Sequence, residues 1–191
     1  MKHLGTLELK TSRLKLRRFT IEDADAMFQN WASDPEVTKY LTWPAHSSPD
    51  VTRWVLESWI GEYEKKSYYQ WAIEFEGYPI GSISVVSGND RTEMVHIGYC
   101  IGKQWWHRGI MTEALGEVIR FFFEDVGVNR IETRHDPNNP HSGAVMRKCG
   151  MQYEGTFRQA AWNNQGICDA CCYAILRSDY FGKRSEMECD N

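Results

Sequence analysis

Two stretches of this chain carry residues whose types and order could do chemistry. The first is Trp105-Trp106-His107-Arg108-Gly109-Ile110-Met111-Thr112-Glu113-Ala114, where a strand gives way to a long helix. The first N–H groups of a helix have no internal partner and carry partial positive charge. Gly109 has no Cβ to keep an anion off the backbone, Thr112 offers a hydroxyl, and Arg108 offers a charge. Together they could hold a phosphate or diphosphate. Taken alone, the same residues also describe an ordinary helix start. The second stretch is Asn138-Asn139-Pro140-His141-Ser142-Gly143-Ala144-Val145-Met146-Arg147-Lys148-Cys149-Gly150-Met151. Asn139 reads as a helix cap, Pro140 as a first-turn residue, Lys148 as a complement to the dipole and Gly150 as a stop, which does not exclude a site.

The elements that must position these stretches follow from periodicity. Thr11 to Phe19 alternates and reads as a strand. Thr20-Ile21-Glu22-Asp23 reads as a helix start, with Ala24, Met27, Phe28 and Trp31 on one face and Asp34-Pro35 as its end. A second helix is expected over Val51 to Tyr63. Tyr69 to Phe75 and Pro79 to Val86 form a hairpin around Glu76-Gly77-Tyr78, and Met94 to Ile101 is a further strand. From Gly109 to about Val126 the apolar positions fall at the helical period, with Gly127 as C-terminal cap. Arg130 to His135 is a strand, and Asn139 to Gly150 a short helix. Met151 to Trp162 and Ile167 to Leu176 make a last antiparallel pair around Asn163-Asn164-Gln165-Gly166. The order β-α-α-β-β-β-α-β-α-β-β predicts an α+β fold, a mixed and mostly antiparallel sheet with helices on both faces.

Bulk properties set bounds. A length of 191 residues predicts one domain over 1–191, with a core at about 10–180 and a frayed polar tail at 182–191. With 22 Lys and Arg against 26 Asp and Glu, the net charge of −4 argues against non-specific nucleic-acid binding. No apolar leader follows Met1 and no run is long enough to span a bilayer, so neither a signal peptide nor a membrane is expected. The six cysteines are Cys100, Cys149, Cys168, Cys171, Cys172 and Cys189. Three of them crowd together, but no second Cys or His pair stands at finger spacing. No metal site is expected, and the thiols read as small buried groups of a reducing compartment, the cytoplasm.

The two chemical stretches together resemble the GNAT superfamily of acetyl-coenzyme A-dependent N-acetyltransferases. The first is similar to its phosphate loop, Arg/Gln-x-x-Gly-x-Gly/Ala, read here as Trp106-His107-Arg108-Gly109-Ile110-Met111-Thr112-Glu113-Ala114. The second is similar to Asn-x-x-Ser-x-x-Val-x-x-Lys-x-Gly-Phe at Asn139, Ser142, Val145, Lys148 and Gly150, with Met151 in place of Phe. Thr11-Ser12-Arg13-Leu14-Lys15-Leu16-Arg17, Asp23-Ala24, Asp34-Pro35-Glu36-Val37, Ile97-Gly98-Tyr99 and the late Glu154-Gly155, Arg158, Gly166, Asp169 and Tyr173 resemble the ribosomal-protein N-terminal acetyltransferase branch. His107 stands where the family has a small residue and Met111 where it has Ala or Gly, so cofactor binding requires both side chains to point away from the diphosphate.

The resemblance implies a seven-stranded sheet splayed between strands 4 and 5, with about four helices. It implies that acetyl-coenzyme A binds at Tyr99, Ile101, His107, Arg108, Gly109, Ile110, Met111, Thr112, Asn139 and Ser142, its pantetheine lying along the Tyr99 to Lys103 backbone. The acceptor amine attacks the thioester directly while both substrates are bound. Catalytic candidates are Ser142, toward the departing sulfur, and His96 or Glu154 as base, with Asp169 a further candidate. An imidazole reference pKa of ~6.5 suits His96 to that task. Trp43, Trp54, Trp59, Tyr63, Tyr68 and Tyr69 flank the acceptor region. The expected acceptor is a protein N-terminal α-amine. A polyamine, an aminoglycoside or a non-catalytic acyl-coenzyme A-binding role are the alternatives, and the chain is expected to be a monomer or homodimer.

Overall fold

Strand alternation divides the apolar residues between two sides of one sheet. Trp71 and Ile73 belong to one buried cluster and Ala72, between them, to another. In the computed structural model of this chain, which describes residues 1–182, the sheet comprises β1 (Leu9–Lys10), β2 (Leu14–Arg17), β3 (Gln70–Phe75), β4 (Tyr78–Asn89), β5 (Met94–Ile101), β6 (Arg130–His135), β7 (Gln152–Asn163) and β8 (Gly166–Leu176). The spatial order is β1-β2-β3-β4-β5-β6-β8-β7. Every neighbouring pair is antiparallel except β5 and β6.

This is the mixed, mostly antiparallel fold expected, with eight strands among the described residues where seven were expected. The extra one is the two-residue β1, pairing Leu9 with Leu16, and a piece that short carries no periodicity. The helices are α1 (Ala24–Met27), α2 (Pro35–Thr38), α3 (Pro49–Glu62), α4 (Ile110–Phe121) and α5 (Pro140–Lys148). A helical turn also covers 177–182 and takes in Gly182, the first residue of the expected tail. The rest of that tail, 183–191, and Cys189 with it, lies outside the described residues. Asp34-Pro35 does more than end a helix. Asp34 Oδ1 accepts from the Glu36 N–H at 2.8 Å and Pro35 opens α2, which raises the helix count above four.

α4 shows why its face of the sheet is firm. Ile110, Met111, Ala114, Leu115, Val118 and Ile119 are all buried, one stripe at the 3.6-residue period. Full burial of a large apolar side chain contributes roughly 1.5–3 kcal/mol. The helix widens into a π turn over Phe122–Val126 and stops at Gly127, whose φ is 80°. On the other face Phe19, Met27, Trp31 and Leu56 bring α1 and α3 against Ala72.

The parallel pair is short. Met94, Val95 and His96 oppose Arg130, Ile131 and Glu132, and there the pairing ends. β5 continues to Ile101 beside β4, and β6 continues to His135 beside β8. The two strands therefore part beyond His96. This is the expected splay between the fourth and fifth strands, counted without β1.

Candidate active site

The gap between β5 and β6 is closed at one end by α5, which approaches β6 because residue 143 is glycine. A Cβ there would lie 2.6 Å from His135 Nε2. The approach brings the first turn of α5 to the side of β5. The Tyr99 hydroxyl lies 3.1 Å from the Ser142 carbonyl oxygen and 3.0 Å from Ser142 Oγ, so a bridge from strand to helix crosses the gap. Burial holds the Tyr99 phenol far above its ordinary pKa, against the opposing hydrogen bond to Ser142.

Two cavities of about 350 Å³ each meet at this bridge. Both are lined by Tyr40, Leu41, Tyr99, Cys100, Asn139 and Ser142. The first extends along the start of α4 and includes Ile101, every residue from Trp105 to Thr112, His141 and Lys148. Among the described residues no carboxylate lines it, while Arg108 and Lys148 do. The second extends toward β6, β7 and β8 and includes Trp43, Trp59, His96, Arg134, Asp136, Trp162 and Asp169.

The loop before α4 has the backbone that an anion site requires. Gly109 caps the helix at φ 72° and His107 adopts φ 60°, a left-handed conformation that is rare outside glycine. A Cβ on Gly109 would meet only Arg13 Nη2, at 3.8 Å, so conformation and not crowding selects glycine there. Met111 is 7% exposed and belongs to the core stripe of α4, while still reaching the cavity wall. The exposed His107 packs its ring edge-on to that of His141, with centroids 4.8 Å apart.

A knot of hydrogen bonds fixes this loop to the sheet. Glu113 accepts from Thr11 Oγ1 at 2.5 Å, from the Arg13 N–H at 3.1 Å and from Arg13 Nε at 2.7 Å. Arg13 Nη1 also donates to the Arg108 carbonyl at 3.3 Å. Burial raises the Glu113 pKa, but these donors outweigh it and hold the carboxyl below its ordinary range. Thr11, Arg13 and Glu113 were visible in the sequence only as motif letters; their contact across about a hundred positions was not.

Several sequence readings change here. Asn139 makes no capping bond with its side chain, and the residue lines both cavities. Lys148, read as a dipole complement, stands in the wall of the first cavity. Tyr40, Leu41, His141, Asp136 and Trp162 were not anticipated. The only signal for the first two was the turn chemistry after Asp34-Pro35. Of the expected aromatics, Trp43 and Trp59 line the second cavity, Tyr63 and Tyr69 are buried, and Trp54 is exposed outside it.

The candidate bases separate. His96 lines the second cavity at the point where β5 and β6 part, opposite a bulge in β4 between Val85 and Ser87. Burial first, and then Arg134, lower its pKa against the pull of Glu132, so the ring is neutral at pH 7. Asp169 lines the same cavity and accepts from the Gln159 N–H at 2.8 Å. Glu154 is not brought there: it lies on β7 paired with Arg130, whose Nη1 donates at 2.8 Å and holds its carboxyl low. Asp136 is buried; desolvation opposes its charge, but the Asn138 N–H and the Asn163 amide keep it ionised. Burial pushes the Cys100 thiol up, against hydrogen bonds with Ser82, which favours its protonated form.

The comparisons with known proteins fit this geometry. Residues 13–152 match the family profile described as an acetyltransferase (GNAT) domain. Over 179 residues the chain is 28% identical to the uncharacterized N-acetyltransferase p20 of Bacillus licheniformis, covering 91% of this chain and 98% of that one. It is 27% identical over 139 residues to the putative ribosomal N-acetyltransferase YdaF of Bacillus subtilis, covering 72% of this chain and 76% of that one. Among solved structures, a ribosomal-protein α-N-acetyltransferase in complex with coenzyme A has a TM-score of 0.80 at 21% identity, covering 89% of this chain and 98% of that one. At that identity the likeness is one of fold.

Proposed function

The chain belongs to the GNAT acetyltransferase family, and from that premise we propose that it transfers the acetyl group of acetyl-coenzyme A to a protein N-terminal α-amine of the ribosomal-protein type. One observation carries the reading: a cavity lined by Arg108 and Lys148 and by no carboxylate of the described residues, floored by the N-terminus of α4, meets a second cavity at Tyr99, Cys100, Asn139 and Ser142. An anionic carrier fits the first and an amine fits the second, so the shared wall is where an acyl group would change hands.

Bound acetyl-coenzyme A supplies an activated thioester carbonyl. The N–H groups from Gly109 to Thr112 would hold its diphosphate, with Arg108 and Lys148 adding charge. The β5 backbone near Tyr99 and Ile101, beyond the end of its pairing with β6, would hold the pantetheine, and an N–H near Cys100 or Ile101 would stabilise the oxyanion. Asn139 orients the cofactor at the seam. His96, neutral in the second cavity, takes the proton that the acceptor ammonium must lose. Holding both reactants in one geometry is worth ~7–11 kcal/mol of the barrier, so little further chemistry is asked of the side chains.

The α-amine reading rests on the ribosomal branch of the relatives and on acidity. An α-ammonium has a pKa of ~8 against ~10.4 for a lysine, within reach of an imidazole base. Such an acceptor would place the protein in the cytoplasm, acting as one domain. The test is thiol release from acetyl-coenzyme A against panels of N-terminal peptides, polyamines and aminoglycosides, with mass spectrometry of the product. Peptides acetylated at the α-nitrogen are expected. Release with polyamines or aminoglycosides alone would reassign the acceptor, and release with none, despite cofactor binding, would leave only an acyl-coenzyme A-binding module.

A further inference from the structure

The Tyr99–Ser142 bridge lies on the wall that both cavities share, and no role has yet been given to its proton arrangement. Tyr99 Oη carries one hydrogen and has two acceptors within reach, the Ser142 carbonyl at 3.1 Å and Ser142 Oγ at 3.0 Å. Two arrangements are therefore possible without moving a heavy atom. In one, Tyr99 donates to the carbonyl and Ser142 donates to Tyr99, which uses up the serine hydrogen. In the other, Tyr99 donates to Ser142 Oγ, and the serine hydrogen is free to point into the seam.

We propose that Tyr99 is a positioning residue whose hydroxyl turns from the Ser142 carbonyl to Ser142 Oγ as charge develops on the departing sulfur, so that Ser142 donates a hydrogen bond to the thiolate. In the step itself the acceptor nitrogen bonds to the carbonyl carbon and the C–S bond breaks. The electron pair goes to sulfur, and the proton lost by nitrogen goes to His96 or water. The sulfur leaves as a thiolate held by Ser142 and later takes a proton from solvent. No proton leaves Tyr99, because its burial makes the phenol a much weaker acid than a thiol. The arrangement is favoured only when the sulfur is anionic, so it stabilises the transition state more than the bound thioester.

The inference rests on the cofactor reading of the first cavity, and its test is chosen to separate the two. Coenzyme A bound to the protein is titrated by the ultraviolet absorbance of its thiolate, with desulfo-coenzyme A as the blank. Around the bridge stand His107, Arg108, His141 and Lys148 on one side and His96, Arg134, His135, Asp136 and Asp169 on the other. All of them are common to the wild type and Tyr99→Phe, so their fields cancel in the difference. The bound thiol is expected to be about threefold less acidic in Tyr99→Phe, which loses the hydrogen bond that orients and polarises Ser142 Oγ. Ser142→Ala, which removes the donor itself, should make it roughly tenfold less acidic, and the double variant should lose no more than Ser142→Ala. Acetyl transfer by Tyr99→Phe should fall about threefold in kcat with KM for acetyl-coenzyme A unchanged. Equal thiol acidity in Tyr99→Phe and wild type, losses that multiply in the double variant, or an effect on KM alone would overturn the role of Tyr99. Should Tyr99→Phe unfold, equal thiol acidity in the part-buried variant Ser142→Ala and the wild type overturns the proposal by the same titration. Failure of coenzyme A to bind the wild type would overturn the cofactor reading, and the inference with it.

Discussion

The two cavities that meet at Tyr99 and Ser142 are built in opposite ways. The cofactor-side cavity draws on the unbroken stretch 105–112 and on six residues from Asn139 to Lys148, and works through backbone amides at helix starts. The acceptor-side cavity takes short pieces from the loop after α2, from α3, from the start of α5 and from every strand between β3 and β8. A site made of consecutive amides needs consecutive residues, whereas a site made of side chains can be scattered over any elements the fold brings together. The first is therefore readable as a motif and tolerates little change in backbone, while the second is open to substitution. The two should respond differently to mutation.

The largest break is expected from Gly109→Val. A β-branched residue at φ 72° is strained by about 1–2 kcal/mol, and its relaxation would swing the α4 amides off the diphosphate. Affinity for coenzyme A by calorimetry should fall at least about a hundredfold, as several charge-assisted hydrogen bonds are lost together. Thermal unfolding of the same variant should change far less, because the added Cβ meets only Arg13 Nη2. Normal affinity would mean that the loop is an ordinary helix start.

Next in size is His96→Gln, which should touch only the acceptor side. With the imidazole pKa held below 6.5, the ring is a competent base at neutral pH and becomes protonated only in acid. The acid limb of kcat/KM for the acceptor should then lie below pH 6.5 in the wild type. The variant should lose about tenfold in rate, the low end for a general base, with unchanged affinity for coenzyme A. A limb near pH 8 in both proteins would show that the amine arrives already deprotonated and that His96 only lines the wall.

The same contrast explains what was legible beforehand. Strong periodicity announced α4, β5 and β6 at or near their observed bounds, because the stripe Ile110 to Ile119 and the alternation around Ile97 meet a core. β1 was missed, since two residues have no period. α2 was missed because Pro35 reads equally as a stop and a start. Met111 could be placed once its register with Ala114, Leu115 and Val118 was taken at face value. The Glu113 knot and the Asn164 bonds to the Thr38 and Trp43 carbonyls, both 2.8 Å, were beyond reach. They join segments about a hundred residues apart, and no local pattern records such a pairing. Glu154, one of the candidate bases, is the partner of Arg130, a contact between β7 and β6 that no local pattern records.

A middle-sized effect should follow from Glu113→Ala, which removes the tie between β2 and the loop without altering any residue of the cavity wall. Coenzyme A affinity should fall about fivefold through freedom returned to Arg108 and Gly109, together with a lower unfolding temperature. Glutamine, which keeps an acceptor for Thr11 and Arg13, should restore part of both. Acceptor KM should not move. A loss of stability alone would show that the knot holds the sheet and not the phosphate loop.

The smallest effect tests whether two neighbouring cations on α5 have different tasks. Arg147 Nη1 donates to the Tyr173 hydroxyl at 2.9 Å, a link to the sheet, whereas Lys148 lines the cofactor-side cavity. Both sit in the last turn of the helix, where either would complement the dipole. If Lys148 serves only the dipole, Lys148→Ala should lower the unfolding temperature slightly and leave coenzyme A affinity alone. If it faces the anion, affinity should fall about threefold at low salt, and the gap should close as the Debye length shrinks to ~3 Å at 1 M salt. The second outcome is expected, because among the described residues no carboxylate lines that cavity to neutralise the ammonium. Arg147→Ala should show the reverse, a loss of stability at constant affinity. Side chains one residue apart on one helix would then divide along the boundary that separates the two cavities from the fold that carries them.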